Sequence, residues 1–215
     1  MKVLGVLQQK GGAGKTTLAL NIAASFALAG KRVLVVDADP QGSALTWAEQ
    51  RTAPSLFPVV GLPKPTLHRD VPELAKDYDA VIIDGAPRTS DVARAAVAAS
   101  DFIIIPVQPS PLDVWAAADT VQLINEAAVL KANLKAAFAV NRKIVGTAIG
   151  RDVGEALSQY GLPILPGALS QRVLFAESFA GGLTVPEIAP AGEAGRELAA
   201  LVQAIVETSE VRAAA

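Results

Sequence analysis

The chain has no cysteine, one histidine, one methionine and two tryptophans among its 215 residues. Without cysteine there is no disulfide and no thiolate metal or iron–sulfur site, which fits a reducing compartment. The single histidine, His68, has no second histidine or cysteine with which to share a metal and is read as a loop or surface residue. No apolar run approaches the ~18 residues needed to cross a bilayer, and Met1-Lys2 lead straight into an apolar stretch rather than a cleavable leader. A cytoplasmic protein is therefore expected. An excess of one charge is also lacking: 19 basic against 21 acidic residues give a net charge of −2, which argues against a uniformly basic nucleic-acid binder. One stretch is biased. Between Lys131 and Arg172 six basic residues (Lys131, Lys135, Arg142, Lys143, Arg151, Arg172) face two acids, leaving the remainder of the chain at −6.

What the chain does have is glycine in a particular place. Gln8-Gln9-Lys10-Gly11-Gly12-Ala13-Gly14-Lys15-Thr16-Thr17 lies between the apolar run Val3–Leu7 and an Ala/Leu-rich segment. Glycines at three of four positions let backbone N–H groups close on a polyphosphate. Lys15 can then reach the β/γ oxygens and the Thr16 hydroxyl can ligate Mg²⁺. The strict phosphate-loop pattern wants glycine where this chain has Gln9, and a second lysine, Lys10, opens the loop.

The rest of the chain reads as a single α/β domain over 1–215, with a mostly parallel sheet flanked by helices on both faces. Lys2–Gln8 is a buried strand, Thr16–Ala29 a helix closed by Gly30, and Val33–Val36 a central strand that delivers Asp37-Ala38-Asp39-Pro40-Gln41-Gly42 to the same sheet edge as the loop. Carboxylates at i and i+2 leave the strand on one side, so Asp37 and Asp39 both face the nucleotide and its metal. Pro54, Pro58, Pro63 and Pro65 argue against a long regular element between Thr46 and Lys76. Val81-Ile82-Ile83-Asp84 has the form of a Walker B strand whose terminal Asp84 serves the metal. A helix over 91–100, a strand over 101–107 and a proline-rich turn follow. Further helices are read at 114–130, 146–160, 170–179 and 191–208, with strands at 135–141 and 162–166. Asn141, at a strand end, reads equally as an adenine contact or a turn former.

Together, Lys10–Thr17, Val36–Gly42 and Val81–Asp84 resemble the deviant Walker A ATPases of the ParA/MinD class, and Asp-x-Asp-Pro-Gln is similar to the form found in ParA partition ATPases. The late segments Arg172–Ser178 and Gly182–Pro190 extend the likeness to essentially the whole chain. No helix-turn-helix region precedes the first strand, so the resemblance is to the small plasmid, ParF-like type, which is not expected to bind a specific operator alone. The resemblance implies ATP and Mg²⁺ as cofactors, with Gly11, Gly12, Ala13, Gly14, Lys15, Thr16, Thr17 and Asn141 around the nucleotide. It implies that Lys10 crosses an ATP-sandwich homodimer to the other subunit's nucleotide, that Asp39 orients the attacking water, and that Thr16, Asp37 and Asp84 serve the metal. A cation supplied in trans neutralises phosphate charge only when two subunits meet, which couples ATP binding to dimerisation.

The function implied is an ATP-driven switch for plasmid or chromosome segregation with slow hydrolysis. The ATP-bound homodimer, or a longer polymer, binds non-specific DNA on the nucleoid, with Arg142, Lys143, Arg151 and Arg172 as the residues to contact it. A ParB-like or small centromere-binding protein stimulates hydrolysis. Two alternatives are a relative that positions another cargo and an ATP-dependent biosynthetic ligase on the same fold. A membrane-surface role is not expected, because the last helix exposes Glu193, Arg196, Glu197 and Glu207 rather than a basic face.

Overall fold

Apolar residues alternate along the central strands, and the alternation divides the core in two. The computed structural model describes residues 1–87, 90–144 and 149–210, the side chains of 149–152 excepted. Seven strands, β1 (Val3–Val6), β2 (Val33–Asp37), β3 (Val59–Gly61), β4 (Ala80–Asp84), β5 (Phe102–Val107), β6 (Lys135–Lys143) and β7 (Ile164–Ser170), form one sheet in the order β3-β2-β4-β1-β5-β6-β7. Every pairing is parallel. Val3, Val81, Ile83, Ile103 and Ile105 face one side, under α3 (Leu67–Leu74), α4 (Asp91–Ala99), α5 (Pro111–Ala128) and α6 (Ile149–Ser158). Leu4, Val6, Val35, Ile82 and Ile104 face the other, under α1 (Lys15–Leu28), α2 (Ser43–Glu49) and α9 (Glu193–Glu210). Burial on both faces explains why these strands read as continuous apolar runs.

The strand order fixes the functional edge. From the central β1 the chain winds outward in one direction through β2 and in the other through β5, so the loop after β1 opens at the switch point of the sheet, at the carboxyl ends of the strands. Asp37, Asp84, Val107 and Asn141 end or nearly end their strands on this same edge.

Several elements differ from the sequence reading. The stretch expected to be irregular contains the edge strand β3 and the helix α3, which tolerates Pro72 near its end. His68 is exposed, as expected, but on that helix rather than in a loop. Pro111 opens α5, three residues earlier than expected, because its missing N–H and fixed φ suit the first helical position. That shift places Asp113 in the first turn. β7 runs to Ser170, so Arg172 caps α7 (Val173–Ala180) instead of riding on it. A four-residue helix, α8 (Val185–Ile188), was not foreseen; it is closed at its start by a Thr184–Glu187 capping box. The expected helix over 146–160 is seen from Ile149, and residues 145–148 lie outside the described ones.

The late segment ties two helices together. Asn21, fully buried in α1, donates to the Thr17 carbonyl (2.7 Å) and accepts from the Val185 amide (3.0 Å). From α2, Trp47 donates to the Leu183 carbonyl. The chain just after α2 adds Arg51, which forms a buried ion pair with Glu187.

The basic excess between Lys131 and Arg172 does not gather on one surface, contrary to the single patch its sequence clustering suggests. Lys131 donates to the Ser100 carbonyl and pairs with Asp101, and Lys135 donates to the Ser209 carbonyl, both at the amino edge of the sheet. Arg142 and Lys143 sit at the opposite end of β6, roughly 25 Å from Lys135 at the rise per residue of a strand. Arg172 is held by Glu193 (2.6 Å) and Glu197 (2.8 Å). The Arg151 side chain lies outside the described ones.

Candidate functional site: a nucleotide-binding edge

The glycine-rich loop leaves β1 and re-enters regular structure as α1, whose helix-capping residue is Gly14 in the left-handed region (φ 89°). A side chain there would be strained, and its Cβ would fall 2.4 Å from the Asn141 amide nitrogen. The start of α1 therefore presents free backbone N–H groups to whatever occupies the loop.

Three side chains from neighbouring strands and helices hold the loop in shape. Asn141 donates to the Ala13 carbonyl (2.9 Å) while its own carbonyl accepts from the Arg142 amide (2.9 Å). Arg142 adopts φ 54° to allow that turn. Gln108, just beyond β5, donates to the Gly12 carbonyl (2.9 Å). Thr120 of α5 donates to the buried side-chain Oε1 of Gln8, which also accepts from the Gln9 backbone amide. Both polar atoms of the Asn141 amide are thus engaged locally, one on the loop and one on the turn at Arg142.

Lys15 is buried at the head of α1 and spans the loop to the Lys10 carbonyl (3.2 Å). Burial lowers its pKa, and the nearby carboxylates of Asp84 and Asp39 pull it back up. Thr16 follows it, beside Asp84. Lys10 pairs with Asp113 of α5 at 2.6 Å.

Three carboxylates line the same edge in different states. Asp37 is spent on backbone: one oxygen accepts from the Asp39 amide (3.0 Å), the other from Ala44 (2.9 Å) and Leu45 (3.1 Å). It shapes the Asp39 loop and caps α2, so the metal contact expected of it would have to compete with three hydrogen bonds. Burial raises its pKa, against those three amides. Asp39 is half-buried, with one oxygen closing a turn onto the Gln41 amide (2.9 Å).

Asp84 is fully buried, and neither of its oxygens has a hydrogen bond of ordinary geometry among the described residues. Burial pushes its carboxyl up to about 7; the Thr16 hydroxyl and Lys15 pull it down, while Asp37 and Asp39 add to the rise. Orphaned carboxylate oxygens beside a hydroxyl are donors that fit a hard cation such as Mg²⁺. No group of three or more acidic, histidine or cysteine side chains assembles a complete shell among the described residues, so phosphate and water would supply the rest.

An unliganded Asp84 is costly, and the cost depends on pH. Its folded pKa of about 7 lies above the ordinary 3.8, so its contribution is favourable below about pH 4, declines as pH rises, and is fully lost above about pH 7. Asp84→Asn removes the buried charge. In nucleotide- and Mg²⁺-free protein it is expected to raise stability at pH 8 by roughly 2–4 kcal/mol and to make little difference near pH 4. Urea midpoints at the two pH values check this, and an equal effect at both would contradict it.

Beside the loop lies a cleft of about 1080 Å³, lined by Gly14 and Thr17 on one side and by Asn141, Arg142, Arg172 and Phe175 on the other. It is continuous with the phosphate site and large enough for a nucleoside. The sequence reading found Lys10, Lys15, Thr16, Asp37, Asp39, Asp84 and Asn141, and the structure brings all of them to one edge. It missed Gln108, Thr120 and Asp113; for Gln108 the available signal was a polar residue just past a strand's carboxyl end, as for Asn141.

Known proteins show the same architecture. Maintenance of carboxysome distribution protein A from Halothiobacillus neapolitanus is 31% identical over 198 residues, covering 90% of this chain and 91% of that protein. The chromosome-partitioning ATPase Soj from Thermus thermophilus is 28% identical, covering 95% and 96%. A cobyrinic acid a,c-diamide synthase from Mycobacterium smegmatis, solved with an ATP analogue and magnesium, superposes with a TM-score of 0.80 at 19% identity, covering 98% and 96%, a likeness of fold. Residues 4–185, which carry the loop, all three carboxylates and the late segment as far as Val185, match the CobQ/CobB/MinD/ParA nucleotide binding domain, and the chain belongs to that family.

Proposed function

We propose that this protein is an ATP-hydrolysing switch of the ParA type that positions an intracellular cargo, with ATP and Mg²⁺ as its cofactors. The observation that carries the reading is the division of labour between two lysines of one loop: Lys15 donates across its own loop to the Lys10 carbonyl, and Lys10 pairs with Asp113 of α5. A lysine whose ammonium is not engaged by its own loop suits service to a second subunit's nucleotide.

In this reading Gly11–Thr17 bind the phosphates, Lys15 neutralises the β/γ oxygens, and Thr16 and Asp84 hold Mg²⁺. The metal supplies charge neutralisation on the phosphates. Asp37 keeps the Asp39 loop in shape, and Asp39 accepts a hydrogen bond from the attacking water and aligns it. Asn141 and Gln108 keep the loop carbonyls turned away from the phosphates.

The carboxysome-distribution relative, which matches over nearly its whole length, supports cargo positioning ahead of the DNA segregation that the sequence motifs put first. Segregation keeps support from the Soj relative. Non-specific DNA remains the proposed track for the ATP-bound homodimer. Arg142 and Lys143 are its candidate contacts, since neither forms an ion pair among the described residues, whereas Lys131 and Arg172 do. The stimulating partner is then a protein bound to the cargo, of which a ParB-like protein is the segregation form. The biosynthetic-ligase alternative has no comparable use for Lys10.

Light scattering with ATP and with ADP tests the switch: a doubling of mass with ATP alone is expected, and a mass indifferent to nucleotide overturns it. Deleting the gene separates the cargoes. Clustering of a protein body with DNA inheritance intact supports positioning, and loss of plasmid or chromosome copies supports segregation.

A further inference from the structure

Asp113 has no part in the reaction described so far, yet it is among the most deeply buried charges of the edge. Its side chain is 3% exposed, against 35% for Lys10, whose ammonium lies 2.6 Å from one of its oxygens. The other oxygen is buried without a partner among the described residues. Lys10 is the only cation in ion-pair contact with that carboxylate among the described residues. Swinging Lys10 outward would strand a buried carboxylate with neither oxygen satisfied, and such a group strongly resists losing its partner. Lys10 is therefore restrained within its own subunit.

The restraint is linked to the phosphate site through the backbone. Lys15, whose ammonium must meet the phosphates, donates instead to the carbonyl of Lys10 itself. Lys10 is thus held twice, by its side chain at Asp113 and by its carbonyl at Lys15. Phosphate in the loop competes for Lys15 and releases the carbonyl, so that only the Asp113 contact remains to be broken when a second copy offers its own phosphates.

We propose that Asp113 is a latch that holds Lys10 in its own subunit, and that the strength of this contact sets the ATP concentration at which two copies pair. The proposal rests on the reading that Lys10 acts on the other subunit's nucleotide. A first-turn acid also favours a helix through the helix dipole, and that role alone would affect folding stability without moving the pairing threshold.

The test titrates a non-hydrolysable ATP analogue against the full-length protein and follows mass by light scattering, using wild type, Asp113→Asn, Asp113→Ala, Lys10→Ala and the Asp113→Ala/Lys10→Ala double variant. Asp113→Asn is close to isosteric and guards against a folding defect in the alanine variant; thermal melts of both are compared. An exposed ion pair of ~1 kcal/mol corresponds to about a fivefold change and is a lower bound for a pair whose acid is buried, so both Asp113 variants are expected to dimerise at an analogue concentration at least about fivefold lower. The double variant should behave like Lys10→Ala, which fails to dimerise. An unchanged or raised threshold in Asp113→Asn, with Lys10→Ala still defective, overturns the latch and leaves the reading of Lys10 standing. Normal dimerisation of Lys10→Ala overturns both.

Discussion

Asp39→Ala is expected to bind ATP normally, to lose at least ~10²-fold in turnover, about 3 kcal/mol of transition-state stabilisation, and to accumulate as the ATP-bound dimer. Among the described residues Asp39 forms no hydrogen bond to the loop residues that hold phosphate, and its influence on Lys15 is through charge alone. Its backbone amide is fixed by Asp37 (3.0 Å) and one of its oxygens by the Gln41 amide (2.9 Å), leaving the other oxygen to address a water. A group oriented in this way acts on the nucleophile, so its removal should leave nucleotide affinity unchanged. Phosphate release under single-turnover conditions, read beside light scattering, separates the two effects. Wild-type turnover in Asp39→Ala would sink the assignment, and so would loss of nucleotide binding.

The second large effect is expected at Lys10. Lys10→Ala should bind nucleotide within about threefold of wild type and fail to dimerise, whereas Lys15→Ala should lose nucleotide binding outright. The contrast follows from direction. Lys15 lies buried across its own loop, and Lys10 leaves the loop for Asp113. Binding of a fluorescent ATP analogue at a concentration where the protein stays monomeric gives the affinities, and sedimentation with saturating ATP gives the assembly. If both variants lost affinity equally, the two lysines would be serving the same nucleotide in the same subunit.

How much of this was legible in the chain depends on the range of the interaction concerned. The loop, the two acid-bearing strands and the layered α/β sheet were readable because each is written in contiguous residues. Glycine spacing, β-branched runs and a terminal acid all act over fewer than ten positions. The strand order made Asp37, Asp39 and Asp84 neighbours, as the switch-point rule for open sheets leads one to expect.

What sequence reasoning missed depends on long-range pairing. Asp113 becomes important only because Pro111 starts α5 early and aims the first turn at a lysine more than a hundred residues away. The basic excess was a property of sequence distance alone. Folding sends Lys131 and Lys135 to one edge of the sheet and Arg142 and Lys143 to the other, and Glu193 and Glu197 of α9 claim Arg172. The short α3 was hidden by Pro54, Pro58, Pro63 and Pro65, all of which precede it, and the local cost of Pro72 within it is outweighed by burying Leu67 and Val71 against the core.

The placement of β1 at the centre of the sheet bears on how the protein is made. The strand that carries the loop pairs with β4 on one side, Val3 against Val81, and with β5 on the other, Leu4 against Phe102. β1 thus has no flanking strand until β4 (Ala80–Asp84) has been synthesised and lacks its second until β5 (Phe102–Val107) follows, and its apolar side chains wait through that interval. Such distant pairings slow folding and expose unpaired edges to aggregation. A nascent chain stalled before Val107 should therefore be unable to bind nucleotide, although every residue of the glycine loop has already been translated.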